Sequence, residues 1–127
     1  MMTLTDIDFS YFVDRLAKPG VDIVESMTAD NAHILHMAVG IAGEAGELLD
    51  AVKKGVIYNK PFDEPNILEE LGDLEFYMEG LRQAFGLSRS EVIEHNVAKL
   101  SLRYGGGYSD QAAQDRADKS IPQTSGN

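Results

Sequence analysis

The sequence predicts an all-α fold: a long antiparallel helical hairpin with flanking helices, closed into a four-helix-bundle-like assembly by self-association. Three observations carry this. Apolar residues recur at helical spacing in four stretches, and Gly and Pro punctuate the gaps between them. Two successive stretches each carry an i, i+3 pair of acids, Glu44/Glu47 and Glu70/Asp73. The same two stretches are apolar on more than one face, so a single copy leaves apolar surface that a second copy would cover, as in a bundle built from subunits.

The elements follow in order. Phe9, Phe12, Val13 and Leu16 predict a first helix over Asp8 to Ala17, ended by Pro19 and Gly20. Its aromatics read as core. A second helix is expected from Asp30 to Lys54, capped by Thr28 or Asp30, with Lys53 and Lys54 at the negative end of its dipole and Gly55 as its stop. Ile34, Met37, Ala38, Ile41, Ala45, Leu48 and Val52 spread its apolar surface widely. The connection GVIYNKPFDEP, with two prolines, reads as a loop. A third helix runs from Ile67 to about Ala84 on Leu68, Leu71, Leu74, Met78 and Leu81, and Ser88 with Glu91 has the capping-box spacing that opens a fourth. Residues 1–104 therefore form one predicted domain. From Gly105 the composition shifts to small and polar residues without a core stripe, and 105–127 is expected to be a flexible tail, disordered at least past Ser120.

Composition narrows the function. No cysteine is present, which excludes disulfide scaffolds and thiolate metal sites and fits a reducing cytoplasm. No apolar run reaches the ~18 residues needed to cross a bilayer, and MMTLTDIDF lacks a basic segment followed by an apolar one, so a soluble, unexported protein without membrane partners is expected. The net charge of −10 and the lack of a Lys/Arg stripe argue against nucleic acid as a partner.

The acids are the chemical signal. At about 100° per residue, i, i+3 spacing sets each pair on one helix face, one turn apart, with no Lys or Arg on the stripe. Glu47 and Asp73 lie at similar heights, ~10 Å either side of the connection, so the pairs can face each other. Two facing pairs of anions need a partner, and a hard cation suits oxygen donors: Mg²⁺, with Mn²⁺ as a substitute. Gly43, Gly46 and Gly72 beside the acids cost helix propensity, each up to about 1 kcal/mol, which suggests that something needs the room. Asp50 is an outside candidate as a further ligand, and Glu69 could exchange roles with Glu70 if the helix rotates.

On the fourth helix Asn96, Lys99 and Arg103 share a face. An amide and two cations can hold a phosphate chain, Arg through its fork and Lys as a point charge, although a solvated face paired with nearby Glu remains the plainer alternative. Lys60 in the loop is either a phosphate contact or a solvated lysine. His33 cannot share a metal with Glu44, being ~16 Å away along a straight helix, and reads first as a structural histidine. His36 does so more firmly. Glu91 and His95 are one residue too far apart for the Glu-x-x-His ligand pattern of a di-iron bundle.

Taken together, E-x-x-E, then E-x-x-D within EELGDL, with YNKP ahead of it and NVAKLSLRY near residue 100, resemble the MazG-like nucleoside triphosphate pyrophosphohydrolases of the all-α NTP pyrophosphatase superfamily, over roughly Asp30 to Tyr104. The resemblance implies a dimer or tetramer that cleaves a nucleoside triphosphate between the α and β phosphates. Glu44, Glu47, Glu70 and Asp73 would hold Mg²⁺, and a carboxylate, Glu47 by preference, would activate water. Asn96, Lys99, Arg103 and Tyr104 match the family's substrate-binding residues, and in the family the first helix helps wall the base pocket, which leaves a minor role open to Phe9 or Phe12. Family members often carry proline where this chain has Gly105. A helical dUTPase or dCTPase, or a phosphoribosyl-ATP pyrophosphatase, would share the acids and differ in the base pocket. A non-catalytic helical oligomerisation module is the rival of a different class, and it predicts no response to Mg²⁺.

Overall fold

A computed structural model describes residues 8–119, which form six α-helices and a terminal 3-10 turn: α1 (Phe9–Leu16), α2 (Gly20–Ser26), α3 (Ala29–Ile57), α4 (Glu64–Ala84), α5 (Arg89–Tyr104), α6 (Asp110–Asp115) and the turn Ala117–Lys119. The fold is all-α. The disorder expected past Ser120 falls outside the described residues.

Side-chain oxygens open most of these helices by accepting from amides that a helix start leaves unpaired. Asp8 accepts from Tyr11 N at 3.2 Å, Thr28 from Asn31 N at 3.1 Å and Asp63 from Asn66 N at 3.2 Å. Ser88 and Glu91 form the reciprocal capping box: the Ser88 hydroxyl accepts from Glu91 N at 3.1 Å, and the Glu91 carboxylate accepts from Ser88 N at 2.6 Å. The Ser88 amide, and after it the Ser88 hydroxyl, favour the carboxylate anion and hold the Glu91 pKa below its ordinary value.

Three boundaries differ from the sequence expectation. Pro19 and Gly20 do not merely end α1; Pro19 becomes the N-cap residue of α2, and Gly20 its first residue. Gly55 lies inside α3, which runs on to Ile57, because its missing Cβ makes room for the Phe62 ring that folds back from the connection. Pro65 falls within the first turn of α4, where the missing amide costs no helical hydrogen bond.

α3, 29 residues long, and α4, 21 residues long, pack side by side as the hairpin. Close approach is made possible by two glycines other than those beside the acids. The ring of Tyr77 lies against Gly40, and the sulfur of Met37 lies against Gly80, in each case where a Cβ would stand. Met37 and Ala51 are the buried apolar residues among those described. Outside this seam the apolar surface is open: Leu35, Val39, Leu49, Leu68 and Phe76 on the hairpin are each more than half exposed, as are Phe9, Leu16 and Val24 on α1 and α2. Among the described residues, no helix is long and apolar enough to cross a membrane.

α5 makes its main contacts with α6 and the terminal turn among the described residues. Residues 110–119, which the sequence assigns to the tail, hold α6 and the terminal turn, and Arg103 near the end of α5 forms an ion pair with Asp118, at 2.9 Å from Nε to Oδ1. A single long-range ion pair of this kind leaves no periodic signature in a sequence.

Candidate metal centre

The hairpin brings the two acid pairs to the same level, as their distances from the connection require. One carboxylate oxygen from each of Glu44, Glu70 and Asp73 lies within 4.8 Å of the others. Glu44 and Glu70 are half-buried and Asp73 is exposed. Glu47 stands on the exposed side, outside this trio, but close enough for its charge to act on Glu70.

The electrostatics are those of an unneutralised anion cluster. Among the described residues, no Lys, Arg or His forms an ion pair with Glu44, Glu47, Glu70 or Asp73. Partial burial pushes the Glu70 pKa above its ordinary value, and the hydrogen bond and charge of Glu44, then the charges of Asp73 and Glu47, push the same way. Such a cluster takes up a proton or a cation, and its all-oxygen donor set suits a hard divalent ion. Gly43, Gly46 and Gly72 have open space where a Cβ would stand, so the room at these positions is not filled within the chain.

The remaining candidates separate from this centre. Asp50 is paired instead with Lys54 at 2.8 Å, which lowers its pKa. Glu69 is exposed and outside the trio, so the helix rotation that would exchange it with Glu70 does not occur. Lys60 is exposed in the connection, its amide bonded to the Gly55 carbonyl at 3.1 Å. His33 lines an open cavity of about 540 Å³ at the far end of the hairpin with Met37, Phe76 and Arg82, and His36 meets the Tyr77 ring edge-on at 6.1 Å.

Asn96, Lys99 and Arg103 lie on α5, which shares no packed face with the hairpin, so one chain by itself does not bring them to the acids. At the end of this row Arg103 Cζ stands 5.9 Å from the centre of the Tyr104 ring. Its guanidinium gives Nε–H to Asp118 Oδ1 at 2.9 Å and Nη2–H to Oδ2 at 3.3 Å. Asp118 is the residue that sequence reasoning missed. Its burial, 6% exposed, could not be read from a polar segment with no stripe.

Comparison with known proteins agrees with this arrangement. The chain is 28% identical over 109 residues to the "Gene 37 protein" of Mycobacterium phage L5, spanning 81% of this chain and 90% of that protein. No solved structure matches it. The model of the MazG nucleotide pyrophosphohydrolase domain matches residues 33–105, more than half of the chain and the stretch that holds all four acids and the α5 face. By that match, and with an all-α hairpin that carries the acids at one level, the chain belongs to the MazG nucleotide pyrophosphohydrolase domain family.

Proposed function

We propose that the protein hydrolyses a nucleoside triphosphate, ribo or deoxy, between the α and β phosphates, releasing the monophosphate and pyrophosphate. The observation that carries this reading is the convergence of Glu44, Glu70 and Asp73 with no cationic side chain on them. Their donors fit Mg²⁺, or Mn²⁺ in its place, with Glu47 joining from the exposed side. The ion, when bound, supplies charge neutralisation at the phosphates and lowers the pKa of water at the site.

The chain's own residues supply the rest. Glu47, exposed beside the trio, orients the attacking water and accepts its proton. Lys99 and Arg103 offset the charge that builds on the departing pyrophosphate, Arg103 through two-point contact and Lys99 as a point charge. Asn96 donates its amide to a phosphate oxygen. Tyr104 stands beside Arg103, and Lys60 approaches from the connection. No step needs a covalent nucleophile.

The site is completed by self-association into a dimer or tetramer. The exposed apolar residues of the hairpin, Leu35, Val39, Leu49, Leu68 and Phe76, support this, and so does the packing of α5 on α6 and the terminal turn. In such an assembly, α5 of one subunit presents its phosphate-binding face to the hairpin of another.

A panel of ribo- and deoxynucleoside triphosphates labelled at the α phosphate tests the reading. Labelled monophosphate with equimolar pyrophosphate is expected for at least one base in the presence of Mg²⁺. Labelled diphosphate with orthophosphate, or no product from any member of the panel, overturns it.

A further inference from the structure

Arg103 and Asp118 form an ion pair that joins α5 to the terminal turn, and Asp118 is the buried charged residue among those described. The Arg103 side chain is 15% exposed and the Asp118 side chain 3%. The segment between them is built to return. Gly105 takes a φ of 57°, Tyr104 and Tyr108 bring their rings to 5.5 Å, and the Tyr108 hydroxyl donates to Asp110 at 2.8 Å. α6 then opens on Ser109, whose hydroxyl accepts from Ala112 N at 3.0 Å. Arg116, at φ 48° and ψ 56°, ends α6 in the left-handed conformation and turns the chain so that Asp118 faces α5. Lys119 Nζ stands 3.9 Å from the other Asp118 oxygen.

The way the fork is used matters. A guanidinium has five N–H donors. Asp118 takes Nε–H and one N–H of Nη2, the side of the group nearest the chain, and leaves Nη1 at the outer corner uncommitted to it. An arginine free to rotate must lose that freedom when it grips a phosphate; here the carboxylate has already removed it. The carboxylate also sits outside the family-matched residues 33–105.

We infer that Asp118 is a positioning residue for Arg103, holding the guanidinium by its inner edge so that the outer edge meets the phosphate chain of the substrate. This rests on the phosphate-binding role proposed above for Arg103. Asp118 does not itself touch substrate, and the ion pair persists when phosphate binds.

The test is a double-mutant cycle read by calorimetric binding of inorganic pyrophosphate with Mg²⁺ to the full chain. Asp118→Asn keeps the shape but sets an amide N–H against Nη2 or loses charge at Nε, and it weakens binding about tenfold. Arg103→Ala weakens it at least as much, and the double variant binds no more weakly than Arg103→Ala alone. Tighter binding by Asp118→Asn would show that the carboxylate competes with phosphate. Additive losses would make its role structural, and failure of the wild type to bind pyrophosphate would remove the role of Arg103; each overturns the inference. A second measurement needs no variant: the Arg103 Nε–H resonance is expected to stay protected when pyrophosphate saturates the protein, and its loss of protection overturns persistence of the pair. Neither readout uses turnover. An unchanged cycle in an active enzyme sinks this inference alone, and the expected cycle in a chain that cleaves no nucleotide sinks only the proposed reaction.

Discussion

Glycine positions on α3 give a sharp stability contrast. At Gly40 an added methyl group meets the face of Tyr77, an aromatic ring held between His36 at 6.1 Å and Phe76 at 5.2 Å, which cannot swing aside freely. Overpacking of this kind costs about 1–3 kcal/mol, against which Ala returns about 1 kcal/mol of helix propensity. Gly43, one turn on, has nothing within 4 Å of the added atom, so Gly43→Ala keeps the propensity gain alone. The two variants should differ by roughly 1–3 kcal/mol, or about 4 °C or more in Tm for a domain of this size. Thermal unfolding followed by circular dichroism, at one protein concentration and in EDTA, measures it. Gly40→Ala is expected to melt below Gly43→Ala. Equal destabilisation by both would place another chain's atoms around Gly43 and refute the reasoning from single-chain packing.

Two further predictions concern the site. If each site pairs the hairpin of one subunit with α5 of another, Glu70→Gln and Arg103→Ala chains, each inactive alone, should recover about a quarter of wild-type activity when unfolded, mixed equally and refolded together, because half of the dimers are mixed and each carries one intact site. No recovery would mean that the site is built within one chain. The raised pKa of Glu70 means that the folded state binds its proton more tightly than the unfolded chain does. The stability this proton provides is fully present below the ordinary glutamate pKa and is lost as pH rises through the folded value. In EDTA, wild type should therefore fall progressively below Glu70→Gln as pH rises across that window, and Mg²⁺ should raise the Tm of wild type more than that of the variant. A gap between the two that does not change with pH would contradict the assignment of Glu70 to a shared anionic cluster.

Much of the hairpin was legible because its signals are local and periodic. Thr28 caps α3 and Ser88 with Glu91 opens α5, as their spacing requires; helix rise sets Glu47 level with Asp73, whereas the carboxylates that come together are those of Glu44, Glu70 and Asp73. The glycines were read less well. Those beside the acids invited an argument about room, while Gly40 and Gly80 make the contacts, since which glycine meets Tyr77 or Met37 depends on the rotation of one helix against the other. α2 was hidden by Pro19 and Gly20, residues that stop one helix and here start the next. Asp118 was hidden most deeply: it pairs with Arg103, fifteen residues back, and a pairing that occurs once leaves no periodic signature. The acids were visible because chemistry repeated them, whereas the residue that orients Arg103 occurs once.

The proposal on which the others rest is that the hairpin acids hold the ions on which nucleotide cleavage depends. It is tested most directly by measuring pyrophosphate release from a Mg²⁺-nucleoside triphosphate by Glu70→Ala beside the wild type, with helix content recorded for both. The account predicts turnover in the wild type and none in the variant at unchanged helix content. A variant that turns over like the wild type would contradict it.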